Sequence, residues 1–159
     1  MSEPVSTRIL EAMAAVVRTA ARAERVATVD VDRDNEAEPY QPDELPAINI
    51  IPVDEDVAIE SMAGAAVGVP MLQDVTLAVV LQIVSRGGVD PAKAARHISA
   101  ACEAALAADP ALGGACPQVL RVTGRQWLRD DGAEQRLARM NTRLVCAYRT
   151  RSTHPYTPF

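Results

Sequence analysis

Residues 72–85 read LQDVTLAVVLQIVS, and this stretch decides the fold class that we predict for the chain. Every second residue from Val75 to Ile83 is a large aliphatic side chain, which is the period of a β-strand with one buried face. The residues between them are partly apolar as well. We therefore expect a central strand whose second face is a candidate contact with another subunit.

Helical segments flank this strand on both sides. An apolar stripe with helical spacing runs from Ile9 to Ala20 and ends near residue 25. Asp90-Pro91 has the form of an N-cap followed by proline at the first helical position, and Asp109-Pro110 ends the same segment. The sequence therefore predicts one N-terminal helix and one internal helix.

Further alternating segments predict the remaining strands, at residues 27–32, 47–53, 119–128 and 136–149. Residues 54–70 are interpreted as a loop or hairpin. Together these elements predict an α+β fold, a mostly antiparallel sheet with both helices packed on one face. Residues 1–150 are expected to form one domain, and residues 151–159 an extended C-terminal arm.

The composition indicates a thin core. The chain has 159 residues, of which 48% are hydrophobic, but 28 of these are alanines and only five residues are aromatic. Alanine buries little area, so we expect the subunit to gain stability from neighbours. The longest apolar stretch, residues 75–84, is interrupted by Thr76 and Gln82 and is far below the ~20 residues of a membrane helix. Without a secretory signal pattern, we expect assembly in a cytoplasm and no membrane partner.

Enzyme motifs give no positive signal. The sequence has no GxxxxGK[ST], no GxGxxG after a strand and no GxSxG. Cys102, Cys116 and Cys146 are expected to be buried thiols, and no CxxC spacing indicates a metal, so no cofactor or metal is predicted. A small enzyme that uses His97 or one of these cysteines is the alternative from a different class.

Charge is divided along the chain. Residues 1–80 carry 15 acidic and 5 basic side chains, and residues 81–159 carry 6 acidic and 11 basic ones. The acids concentrate in residues 33–45, here called the acidic segment, with Asp34, Glu36, Glu38, Asp43 and Glu44. The bases alternate along the last two predicted strands, which would place one arginine cluster on one sheet face: Arg121, Arg125, Arg139, Arg143 and Arg149.

Three interpretations of this charge pattern are open. The arginine face could be an ordinary solvated surface, or it could bind nucleic acid, although the protein is acidic and poor in aromatic side chains. The third is self-assembly, in which the arginine face of one copy meets the acidic segment of the next. Such asymmetric contacts generate rings or filaments, and these ten charged residues are our predicted subunit interface.

The order of elements resembles the tail terminator proteins (minor tail, or tail-completion, proteins) of long-tailed bacteriophages and phage-like particles. The resemblance covers about residues 5–150. It rests on LPAINIIPVDED at residues 45–56, on the internal helix ending in DPALGG before a strand, and on a final strand ending in AYRTR.

This resemblance implies a non-enzymatic virion protein. Members of that family form a ring, commonly of six subunits, at the head-proximal end of the tail tube. The ring stops tube elongation and joins the tail to the head connector, so the implied partners are other copies of the chain, the tube protein and the connector protein, with DNA only passing through the lumen. A head-completion or neck protein one layer higher is the alternative among structural proteins.

Overall fold

The computed structural model describes residues 4–59, 72–86, 90–116, 120–130 and 137–151. Two α-helices and five strands lie in these ranges, with single 3-10 turns at Pro42–Glu44 and Leu112–Gly114, and together they confirm the predicted α+β class. They are α1 (Val5–Ala23), β1 (Thr28–Val31), β2 (Ala47–Ile59), β3 (Leu72–Arg86), α2 (Pro91–Ala108), β4 (Arg121–Asp130) and β5 (Leu137–Arg151).

The five strands form one sheet in the order β1-β2-β3-β5-β4. Only β1 and β2 are parallel, and every other neighbouring pair is antiparallel. β3 is the third strand of five and pairs along its whole length with β5, from Leu72 opposite Arg151 to Arg86 opposite Leu137. The prediction of a central strand at residues 72–85 is therefore confirmed.

Both helices pack on the same face of this sheet. The alternating aliphatic residues of β3 point toward the helices, and Val79, Leu81 and Ile83 have no exposed surface. Met13 and Val17 of α1 and the buried stripe of α2 complete the same core. Neither α1 nor α2 packs on the opposite face, which we call the helix-free face.

β2 is longer than the sequence predicted. A shift in register between Pro52 and Asp54 lets the strand continue past the proline, and it stays paired with β3 as far as Ile59 opposite Gln73. A bulge of this kind takes up one extra residue without ending the ladder. Residues 54–59 are thus a strand paired antiparallel with β3, which agrees with the hairpin alternative for this segment and not with the loop. Residues 60–70, the turn at 131–132 and residues 152–159 of the arm lie outside the described ranges.

The ends of α2 agree with the prediction. Asp90 Oδ1 accepts a hydrogen bond from the backbone nitrogen of Lys93 at 2.9 Å, which satisfies one of the free donors at the helix start. The helix ends at Ala108, immediately before Asp109-Pro110. Gly113 and Gly114 follow in a tight turn with φ of 65° and 92°, values that glycine adopts without steric cost.

The cysteine prediction is wrong for two of the three residues. Cys116 and Cys146 form a disulfide that joins the segment before β4 to β5, whereas Cys102 is a free, buried thiol. All three are buried, as expected. The pairing escaped prediction because the two residues are 30 positions apart and only the fold brings them together.

Candidate assembly surfaces

Arg33 organises the acidic segment. Its Nη1 donates to Glu44 Oε1 at 2.8 Å and to Asp30 Oδ2 at 3.1 Å, and its Nε donates to the carbonyl oxygen of Glu38 at 3.1 Å. The guanidinium also lies 4.3 Å from the centre of the Tyr40 ring. Arg33 lowers the pKa of Glu44, so this carboxylate is committed to an internal ion pair.

Two asparagine side chains attach the acidic segment to the sheet. Asn49 is fully buried in β2, where its Nδ2 donates to the carbonyl oxygen of Arg33 at 2.8 Å and its Oδ1 accepts from the Arg33 backbone nitrogen at 3.2 Å. Asn35 donates to the side chain of Gln82 on β3. The segment thus covers one end of the helix-free face, above a cavity of about 100 Å³ that Val84 and Arg139 also line.

The five predicted acidic residues differ in their availability. Besides the paired Glu44, Asp34 accepts hydrogen bonds from the backbone nitrogens of Glu36 and Ala37 and so shapes a turn. Glu36, Glu38 and Asp43 are exposed, and no ion pair is seen for their carboxylates in the described part of the chain. These three side chains therefore present the negative surface of the segment.

The five predicted arginines do not all share one face. Arg121 lies opposite Val145, on the helix-free face, but a shift in register between Val122 and Gly124 changes the phase of β4. Arg125 consequently lies opposite Thr142, on the face that carries the helices. The expectation of a single arginine face is wrong for Arg125, because strict alternation assumed a strand without a bulge.

The three predicted interface arginines of β5, Arg139, Arg143 and Arg149, lie on the helix-free face in different surroundings. Arg149 Nε donates to Asp74 Oδ1 at 2.6 Å, and this contact lowers the pKa of Asp74. Arg139 is half-buried against the cavity below the acidic segment. Arg143 is exposed, so of these three arginines it is the most open to a partner.

Arg125 takes part in a polar network that sequence reasoning missed. Its Nε donates to Glu103 Oε1 at 3.0 Å, and the hydroxyls of Ser99 and Thr142 donate to the same oxygen at 3.1 and 3.3 Å. Arg125 lowers the pKa of Glu103. The spacing of Ser99 and Glu103, four residues apart beside the buried stripe of α2, is the signal that could have revealed the network.

Exposed large apolar side chains concentrate on the strands at the two edges of the sheet. Among the described residues, every such side chain lies on β1, β2 or β4: Val31, Val53, Val57, Val122, Trp127 and Leu128. Arg96 of α2 lies 5.5 Å from the centre of the Trp127 ring, which keeps this side chain against the helix with 43% of its surface exposed. Alternation in the sequence located these strands without showing that they are edges.

His97 and the three cysteines, which the alternative prediction of a small enzyme would use, do not form a reactive pair. Burial raises the pKa of Cys102 to about 11, so its thiol is protonated at neutral pH. Cys116 and Cys146 are bonded to each other. His97 is exposed, with Nε2 3.1 Å from Glu24 Oε2. The described residues contain no cluster of three potential metal ligands, and none of their helices is long and apolar enough to cross a membrane.

Comparisons with known proteins give likenesses to solved structures alone. Neither a family model nor a curated protein matches the chain. A chain from a solved structure titled "Virion of native gene transfer agent (GTA) particle" is 19% identical, with 90% of this chain and 97% of that chain covered and a TM-score of 0.37. A TM-score of that size is too low to establish a common fold.

Proposed function

We propose that this protein is a structural component of a phage-like virion, a tail terminator that assembles into a ring, with six subunits as the expected number. In this role it stops elongation of the tail tube at the head-proximal end and joins the tail to the head connector. The observation that carries the proposal is the placement of exposed apolar side chains on strands at opposite edges of one sheet.

That placement favours association of identical subunits. Exposed apolar side chains gain free energy when a partner covers them, and two different patches on one chain produce a head-to-tail contact. The order of elements in the sequence, which resembles that of tail terminators, supports the position proposed for the ring. The chemistry required of the protein is association alone, so we propose no catalytic step.

The charge pattern supports the same assembly. Arg121 and Arg143 are exposed on the helix-free face, and Glu36, Glu38 and Asp43 are exposed on the acidic segment. Contact between the two groups in neighbouring subunits would be electrostatically favourable and would assist correct encounter. We therefore retain these residues as proposed interface positions, together with Arg125 and Arg149, which also form ion pairs within the subunit, and with the half-buried Arg139.

Two measurements test this function. Light scattering of the purified chain, with negative-stain images, should give the mass and the outline of a ring. Deletion of its gene from the producing phage or phage-like element should yield particles with overlong tails. Tails of normal length in the deletion would contradict the terminator role, and tails of normal length that fail to join heads would instead indicate a neck protein.

A further inference from the structure

We infer that the free edge of β2 in one subunit pairs antiparallel with the free edge of β4 in a second copy, so that one sheet continues from subunit to subunit. This inference rests on the proposed ring and specifies the contact that builds it. It assigns the interface to main-chain pairing between two named strands, in addition to the charged side chains considered above.

Both edges are open within the described ranges. β1 covers only the first residues of β2, from Ala47 to Ile50, and its last contact is the hydrogen bond from the Asp32 backbone nitrogen to the Ile50 carbonyl oxygen. Residues 51–59 of β2 have no described neighbour on that side. β4 pairs with β5 on one side only. An edge strand with unpaired N–H and C=O groups is a template for another strand.

The two edges match in length and direction. The free part of β2 has nine residues, and β4 has ten. Within one subunit, β2 and β5 run in one direction and β3 and β4 in the opposite direction. If a second copy is related to the first by rotation about an axis parallel to the strands, its β2 is antiparallel to β4 of the first copy. The contact uses different surfaces on the two subunits, and such contacts close into a ring when the rotation permits.

One register pairs residues 51–58 of β2 with residues 121–128 of β4 and leaves the part of β2 that β1 covers untouched. Each strand carries one bulge, at Val53 in β2 and at Thr123 in β4. If both bulge residues are left unpaired, each residue of β2 lies opposite a residue of β4 whose side chain points to the same face of the sheet. Leu128 then lies opposite Ile51 at one end. In this register Trp127 meets Pro52, Arg125 meets Glu55 and Val122 meets Val57, so apolar contacts flank a pair of opposite charges.

Charge also disfavours the competing contacts. The free edge of β2 carries Asp54, Glu55 and Asp56, whereas β4 carries Arg121 and Arg125. Pairing β2 with a second β2 would place acids together, and pairing β4 with a second β4 would place arginines together. Like charges opposite each other destabilise a strand pair, so the mixed contact is selected.

Cysteine cross-linking of the full chain tests the register. A variant with Val57→Cys and Val122→Cys should form covalent multimers on mild oxidation, since opposite residues in antiparallel strands lie within disulfide reach. Val53→Cys with Val122→Cys is the matched control: Val53 is as exposed as Val57 (50% against 52%), but it lies in the bulge. Equal cross-linking of both variants, or a ring without cross-linking, would overturn the pairing and leave the proposed function standing.

Charge reversal tests the pairing independently. The variant Asp54→Arg with Asp56→Arg should raise the protein concentration at which half of the chains are assembled by about tenfold or more. The variant Arg121→Glu with Gln126→Glu should raise it by a similar factor. A mixture of the two variants should assemble again, because each altered edge then meets a complementary one. Failure of the mixture to assemble, or a wild-type chain that stays monomeric, would overturn the pairing. Tail length in the gene deletion decides the proposed function separately.

Discussion

Arg125 of β4 and Glu103 of α2 are bonded across the edge of the sheet, with Arg125 Nε donating to Glu103 Oε1 at 3.0 Å. The contact fixes an exposed edge strand to a helix that is anchored in the core. Ser99 and Thr142 hold the same carboxylate from the buried side. The strand that we propose as a subunit contact is therefore held in place before any partner arrives.

The first prediction concerns Glu103 and pH. Because Arg125 lowers the folded-state pKa of Glu103 from 4.5, this carboxylate stabilises the fold above pH 4.5, and that contribution is lost as the pH falls through the lowered value. Thermal unfolding at pH 7 should show a lower Tm for Glu103→Gln than for the wild type, and the difference should shrink as the pH is lowered below 4.5. Glu11→Gln on the exposed side of α1 should follow the wild type. A constant difference at all pH values would contradict this assignment.

The second prediction concerns the disulfide. Thiol titration of the denatured, unreduced chain should find one reactive thiol, Cys102, rather than three. Cys116→Ser with Cys146→Ser should lower the free energy of unfolding by about 3 kcal/mol, since the unfolded chain gains freedom when the cross-link is removed. Cys102→Ser is the control for the titration and should leave no reactive thiol. Three reactive thiols in the wild type would contradict the disulfide and support the prediction that all three cysteines are free.

The third prediction concerns Arg33 and the acidic segment. Arg33→Ala removes the bonds to Glu44, Asp30 and the Glu38 carbonyl oxygen at once. Amide exchange should quicken within residues 33–45, and limited proteolysis should begin there, while the helices keep their protection. As a control, Arg22→Ala on the exposed side of α1 should leave the exchange pattern unchanged. Unaltered exchange in the Arg33 variant would show that the buried Asn49 holds the segment alone.

The fourth prediction concerns the proposed charged interface. Arg143→Glu should weaken ring formation measured by light scattering and leave the far-UV spectrum unchanged, because Arg143 is exposed. Arg139→Glu should weaken it too, but with a loss of Tm, since Arg139 is half-buried against its own acidic segment. Arg22→Glu is the matched surface control. High salt should act in the same direction as Arg143→Glu, because exposed charges are screened beyond about 8 Å at physiological ionic strength.

The fifth prediction concerns the core. Leu81 is fully buried at the centre of β3, so Leu81→Ala should lower the free energy of unfolding by roughly 2–5 kcal/mol. Leu128→Ala on β4 removes the same atoms from a side chain that is 39% exposed, and the isolated subunit should lose much less. If the edge pairing is correct, Leu128→Ala should instead raise the concentration needed for assembly. Equal destabilisation of the subunit by both variants would contradict the described burial.

Local sequence signals determined most of the elements. The alternation around Leu81 identified the central strand, and Asp90-Pro91 and Asp109-Pro110 marked both ends of α2, because these signals depend on neighbours in the chain. The same local signals gave wrong predictions where a bulge changed which face of the sheet the following side chains occupy. The strand predicted at residues 47–53 continues to Ile59, and the predicted face of Arg125 is wrong.

The sequence by itself determined the α+β class, the order of helices and strands, the buried alternation of β3 and the division of charge along the chain. Only the tertiary structure decided which strands are edges, which cysteines are bonded, and that Arg33 and Arg125 are already engaged by acids of their own chain. The physical reason is distance along the chain. Periodicity and capping act over a few residues, whereas Cys116 and Cys146, 30 residues apart, and Arg125 and Glu103 meet only when the whole sheet has formed.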